Sequence, residues 1–192
     1  NKPWTLSANG TIFTYERKGI VPGLLERWYA ERKQMQAKLK EATTPEDQEY
    51  WDKRQLVKKI NLNSLYGAIL NPGCRFFDQR IGQSTTLTGR TIAKHMDSFV
   101  NEAITGKYDH VGDAIIYGDT DSVYFSAWPA VRADVEAGRM EWNKDIAIQV
   151  YDNIADQVNE SFPAFMERAC HCPRENGAII KGGREQIGRA HV

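Results

Sequence analysis

A single break in a long stretch of helix-period sequence constrains this chain most. At Thr44-Pro45-Glu46-Asp47 the pattern stops and restarts. Thr44 suits an N-cap, Pro45 suits the first helical position, and two acids follow at the positive end of the helix dipole. Upstream, Leu24, Leu25, Trp28, Tyr29 and Met35 form an apolar stripe, predicting a helix from about Leu24, after Pro22-Gly23, to Ala42. Downstream, a second helix is predicted to about Ile69, where Asn71-Pro72-Gly73 stops it. Two helices joined by so short a connection must be antiparallel neighbours.

Around this pair the pattern is mixed. Residues 1–20 read as extended segments and turns, with Asn9-Gly10 a tight turn. A third helix is predicted from about Thr85 to Ile104. Ala114-Ile115-Ile116-Tyr117, the turn Gly118-Asp119-Thr120-Asp121 and Ser122-Val123-Tyr124-Phe125 predict a β-hairpin with acids at its tip. A last helix is expected from about Lys144 to Ala169, broken or kinked near Pro163. The expected fold class is α+β.

Composition narrows the possibilities. With 41% hydrophobic residues, five Trp, eight Tyr and seven Phe, the chain can pack a core and is not expected to be disordered. Net charge is zero, but Tyr15 to Lys59 holds 11 Lys/Arg against 8 Asp/Glu (+3), and Ala130 to Cys170 holds 4 against 8 (−4). That division suits a protein touching phosphates with one part, and equally suits scattered solvated charges. Three cysteines, an odd number, and no signal peptide argue against a disulfide framework. Cys170-His171-Cys172 has ligand types, but no second Cys/His pair exists to complete a zinc site. No apolar run approaches the ~20 residues of a membrane span.

Two groups of residues carry chemistry. Lys59, Asn63 and Tyr66 are spaced i, i+4, i+7 and line one helix face, with Gly67 leaving the backbone open beside them. A cation, an amide and a ring could take a triphosphate, a polar edge and a flat base. On spacing alone the simpler reading is favoured: a solvated lysine, a capped asparagine and a core tyrosine. Asp119 and Asp121, at i and i+2, project to one side if their strand is extended. Mg²⁺ takes such oxygens together with phosphates and waters, and two ions can clamp a phosphoryl transfer. An Asp-rich turn is the plain alternative, and flanking apolar β-formers favour a strand-held site.

These residues resemble a known family. Lys59-Ile60-Asn61-Leu62-Asn63-Ser64-Leu65-Tyr66-Gly67 is similar to motif B of the family B DNA polymerases, and Tyr117-Gly118-Asp119-Thr120-Asp121-Ser122 to their motif C. Gly19-Ile20-Val21-Pro22 and Glu31-Arg32-Lys33 resemble the first fingers helix, and Arg75-Phe76-Phe77-Asp78 the return to the palm. The resemblance covers most of residues 9–185 and looks nearest to polymerases of T-even-type tailed bacteriophages and their marine relatives. It implies a palm remnant at 1–20, fingers helices at 21–70 and palm with the motif C hairpin at 71–185.

The resemblance also implies roles. Asp119 and Asp121 would hold two Mg²⁺ ions, Asp121 as the more direct ligand. Lys59 and Arg32 would grip the triphosphate of the incoming nucleotide, Asn63 would support that contact, and Tyr66 would pack at the nascent base pair. Tyr117 and Thr120 would shape the hairpin near the primer end. The implied partners are primer-template DNA and deoxynucleoside triphosphates, with a sliding clamp and replisome proteins for the parent, in the cytoplasm of an infected bacterium. Family members commonly carry Lys one turn after the fingers Arg; here that position is Gln36, unless Lys33 or Lys38 substitutes. Motif A with its metal-binding Asp, the exonuclease domain and the thumb are not found, so the chain is expected to be an inactive fragment of a polymerase. Ile187 to Val192 equal one reading frame of a sequencing adapter (ATC GGA AGA GCA CAC GTC), so residues 186–192 are expected to be an artefact of environmental sequencing. The competing readings are a two-metal nuclease and a non-catalytic nucleic-acid or nucleotide-binding module.

Overall fold

A computed structural model of the chain describes residues 3–119 and 121–184. The adapter-like segment and Thr120 lie outside the described residues. The backbone divides into two compact units: Thr14–Gln83, and Asn1–Phe13 with Ser84–Val192.

The first unit is a helical hairpin. Helix α1 runs Ile20–Glu41 and helix α2 Pro45–Ile69. Helix α1 starts before the expected Leu24 and runs through Pro22 and Gly23. Proline is tolerated there because first-turn amides have no partner within a helix. Thr44 caps α2 as expected, its Oγ1 accepting from the Asp47 amide at 3.1 Å. The Gln48 Nε2 donates to the Ala42 carbonyl at 3.1 Å and closes the connection.

No residue of α1 is fully buried. The helices instead meet through cations lying on rings. Lys38 Nζ sits 4.5 Å from the centroid of Trp51, and Lys58 Nζ sits 5.7 Å from that of Trp28. Lys58 Nζ also lies 2.5 Å from Glu31 Oε2. Each exposed cation–ring contact contributes about 0.5–1 kcal/mol.

The second unit carries the core. Strands β1 (Trp4–Leu6) and β2 (Ile12–Thr14) pair around the expected turn, where Gly10 takes a φ of +83°. Helix α3 (Gln79–Thr105) begins before the expected Thr85, because the Asp78 carboxylate accepts from the Arg80 amide at 2.9 Å and caps it. The remaining elements are β3 (Ile115–Asp119), β4 (Ser122–Phe125), α4 (Trp128–Glu136), α5 (Lys144–Cys170) and α6 (Arg174–Gly177). Helix α4 was not anticipated from sequence. Helix α5 stays continuous across Pro163 rather than breaking; the missing amide is offset by Phe162 and Met166, buried on the same helix.

Val100, Ala127, Ile154, Val158 and Phe162 form the core, with Ile115, Val123 and Phe125 packed against it. The hairpin is therefore anchored by apolar side chains from both strands. The Cys170 and Cys172 side chains are buried. His171 between them turns left-handed (φ 49°) to end α5 and stacks on Trp4 at 3.9 Å. That segment is a helix terminus, and among the described residues no group of three or more Cys, His, Asp or Glu could hold a metal.

His95 has a consequence for stability. It is 5% exposed and stacked on Phe165 with ring centroids 3.9 Å apart. Its Nε2 lies 2.9 Å from Ser161 Oγ and its Nδ1 2.7 Å from the Tyr108 hydroxyl. The Ser161 hydroxyl donates to the Val158 carbonyl, so Nε2 carries the ring proton and Nδ1 accepts from Tyr108. Burial pushes the imidazole pKa down from 6.5 to about 4, and Arg168 adds to the shift. The folded protein holds His95 neutral while the unfolded chain protonates near 6.5. Its contribution is complete above pH 6.5 and is lost as pH falls toward 4, amounting to at most about 3 kcal/mol. Urea denaturation at pH 7, 5.5 and 4.5 checks this, and His95→Gln is expected to flatten that part of the profile.

Candidate active site

The β3–β4 hairpin is fixed at its base by one amide. Asn101 is 1% exposed. Its Oδ1 accepts from the Ala114 amide at 3.2 Å and its Nδ2 donates to the Lys107 carbonyl at 2.8 Å. The Ala114 carbonyl accepts from the Ser126 amide at 2.9 Å. Gly112 passes directly over this clamp: a Cβ there would stand 2.0 Å from Asn101 Cγ.

A bulge then reorients the strand. The register pairs Ile115 with Phe125, Tyr117 with Tyr124, Gly118 with Val123 and Asp119 with Ser122, with an irregularity between Ile115 and Tyr117. Ile115, Val123 and Phe125 face the core. Directly paired residues share a face. The extra residue, Ile116, resets the alternation, so Tyr117 and Asp119 turn outward although Ile115 points inward. Tyr117 and Tyr124, 57% and 53% exposed, lie across from each other on that outer face with ring centroids 5.9 Å apart.

Asp119 ends β3, and Asp121 sits in the turn before β4. Strand alternation therefore does not align the two carboxylates; the pairing of Asp119 with Ser122 puts both residues at the end of the hairpin. Both are exposed. Carboxylate oxygens at a solvent-facing turn are the donors Mg²⁺ takes, so the pair fits two positions of a divalent-cation ligand set.

Behind the tip lies Asp97, on α3. Its Oδ1 is buried with no hydrogen-bond partner. Burial pushes its pKa up, against the pull of nearby His110. Leaving such an acceptor unsatisfied costs about 1–3 kcal/mol.

In the helical hairpin, Lys59 and Asn63 are exposed on one face of α2. Tyr66 is half-buried and its hydroxyl donates to the Gly82 carbonyl at 3.3 Å, so its ring edge is tied to the start of α3. Arg32 is half-buried, and its Nε donates to Gln55 at 3.3 Å. The lysines that could replace the cation absent at Gln36 are engaged elsewhere. Lys33 Nζ lies 5.4 Å from the centroid of Tyr29, and Lys38 covers Trp51.

Sequence reasoning missed Asp97, Asn101 and Gly112. One signal was present: Asp97 and Asn101 are one helical turn apart, beside the apolar Met96, Val100 and Ile104.

Known proteins are similar to this chain in sequence and in fold. The profile of DNA polymerase family B matches residues 4–159. The chain is 40% identical over 109 residues to the DNA polymerase delta catalytic subunit of Oryza sativa subsp. japonica, covering 56% of this chain and 10% of that protein. It is 37% identical over 123 residues to that of Candida albicans, covering 62% and 12%. Against the DNA polymerase alpha catalytic subunit of Arabidopsis thaliana it is 34% identical over 107 residues, covering 55% and 6%. The family B DNA polymerase from the hyperthermophilic archaeon Pyrobaculum calidifontis shares the fold over 73% of this chain and 18% of that one, with a TM-score of 0.52 and 23% identity. The chain thus spans about a tenth of the length of its delta relatives. The profile takes in the Lys59–Tyr66 helix face and the acid-tipped hairpin together, and the chain belongs to family B of the DNA polymerases.

Proposed function

We propose that this chain forms the fingers and most of the palm of a template-directed DNA polymerase, with Thr14–Gln83 as the fingers part. The observation that carries this reading is the pair of exposed carboxylates on a hairpin anchored in the core, in a chain that also bears Lys59, Asn63 and Tyr66. Asp119 and Asp121 would hold Mg²⁺, which when bound activates the primer hydroxyl and offsets charge on the leaving pyrophosphate. Lys59 and Arg32 bind the triphosphate, Asn63 supports that contact, and Tyr66 presents its ring to the nascent pair while its hydroxyl holds the Gly82 carbonyl. The bulge at Ile116 keeps Asp119 on the solvent face, where substrate phosphates can approach.

Among the described residues no third liganding side chain joins the two acids. Residues 1–185 alone are therefore proposed to be inactive, and primer extension by that piece would overturn this part. For the whole protein we propose primer-template DNA and deoxynucleoside triphosphates as substrates, with a sliding clamp and replisome proteins as partners.

A two-metal nuclease would use the same acids but has no need of a triphosphate grip. A binding module would need the basic helices but no paired acids. The deciding experiment is incubation of the full-length protein with primed template and single nucleotides in Mg²⁺. Extension only by the complementary nucleotide supports the polymerase; strand loss without incorporation, or binding alone, overturns it.

Lys59 yields a sharper expectation. Lys59→Ala in the full-length enzyme is expected to raise the nucleotide KM about tenfold or more, leaving DNA affinity within about twofold, because a charge-assisted phosphate contact contributes about 1.5–3 kcal/mol. Steady-state single-nucleotide kinetics and fluorescence anisotropy check the two halves.

The resemblance of both motifs to T-even-type phage polymerases supports a viral source and action in the cytoplasm of an infected bacterium. Flanking reading frames in the source DNA test this: phage replication or structural genes are expected, and eukaryotic nuclear genes would overturn it.

A further inference from the structure

The hairpin that carries Asp119 and Asp121 is backed by a carboxyl group that the mechanism above does not use. On β3 the side of Gly118 opposite to Asp119 faces α3. A Cβ at Gly118 would stand 3.3 Å from Asp97 Oδ2, 3.7 Å from Oδ1 and 3.8 Å from Cγ. The carboxyl is therefore in contact with the backbone one residue before the first metal-binding acid. Among the described residues, Asp97 Oδ1 is the buried side-chain polar atom that finds no hydrogen-bond partner. Its neighbours on α3 are immobilised: His95 by Tyr108 and Ser161, and Asn101 by Lys107 and Ala114. The stretch of α3 that carries Asp97 is thereby held in place on both sides of it.

We propose that Asp97 is a positioning residue for the metal-binding tip, acting through Gly118 to fix the depth at which Asp119 and Asp121 meet a divalent cation. A group serving packing alone would be better as a neutral or apolar side chain, since a buried carboxyl oxygen without a partner weakens the fold. Here it is set against Gly118, the residue before Asp119. The lack of a side chain at Gly118 follows from the same contact: any substituent would press on the carboxyl or push the tip outward. This inference rests on the metal-binding role proposed for Asp119 and Asp121.

The test uses the full-length polymerase with Asp97→Asn, Gly118→Ala, Asp97→Ala and the Gly118→Ala/Asp97→Ala pair. Asp97→Asn keeps the shape and removes the charge. It is expected to leave the thermal midpoint unchanged or raise it, while moving the Mg²⁺ midpoint of extension up about threefold or more. Nucleotide KM is expected to stay put, and amide hydrogen exchange is expected to quicken in 117–122 but not in α3. Gly118→Ala is expected to lose most extension, and the double variant to recover about tenfold of that loss. If Asp97→Asn lowers the thermal midpoint in step with activity, Asp97 is only a packing residue. Unchanged Mg²⁺ dependence and exchange, or simple additivity in the pair, also overturns the proposal. Failure of the metal reading is seen separately: Asp121→Ala would then extend like the wild type, while the exchange and coupling data would still report on Asp97.

Discussion

Asp121→Ala in the full-length polymerase is expected to lower primer extension at least about a thousandfold while leaving DNA affinity within about threefold. A thousandfold corresponds to about 4 kcal/mol of transition-state stabilisation, the order expected when a cation serving both attacking and leaving oxygens loses a ligand. The alanine should not harm the fold. Asp121 is exposed in a turn and is not one of the core residues. DNA affinity should hold because phosphates are gripped by cations, and removing an acid near them cannot weaken that grip. Asp119→Ala should be damaging to a smaller degree, since Asp121 is assigned the more direct ligation. Single-turnover extension alongside anisotropy on primed template measures both quantities. Residual extension comparable to wild type would contradict the metal role of the tip.

Gly112→Ala is expected to be the most destabilising single-methyl change in the hairpin unit, by about 3–5 kcal/mol. The added Cβ would fall 2.0 Å from Asn101 Cγ and 2.1 Å from both Nδ2 and Oδ1. Asn101 cannot yield without losing its bonds to Lys107 and Ala114, and a buried amide stripped of partners carries its full desolvation cost. Gly82→Ala is the control. Its Cβ would fall 1.8 Å from Leu70 Cδ2, closer still. Leu70 is exposed, however, and its chain end can rotate into solvent, so a loss under about 1 kcal/mol is expected. Thermal and urea melts of the two variants should separate them clearly, and equal losses would show that contact distance alone, not the freedom of the contacted group, sets the cost.

Much of the local architecture was legible. Thr44, Pro45 and the acids after them determine where α2 begins, because an N-cap, a proline at N1 and dipole-matched charge act within one turn. The apolar pattern around residues 114–125 determines the hairpin, and the spacing of Lys59, Asn63 and Tyr66 determines a shared helix direction. Both motifs were readable as strings, and with them the family. Nothing in those strings places Ile116 in a bulge, yet the bulge is what turns Asp119 outward. That placement depends on Ile115 and Phe125 being held in a core built from α3 and α5. Lys33 and Lys38 could have supplied the cation absent at Gln36 by sequence distance; rings on their own and the facing helix engage them instead. Asp97 and Asn101 look alike in sequence, two polar residues a turn apart, but only packing distinguishes the one whose bonds are satisfied from the one with a buried oxygen left unbonded. The sequence by itself determined which chemical groups the tip carries. The tertiary structure decided which way they face and what stands behind them, because those depend on contacts between residues far apart in the chain.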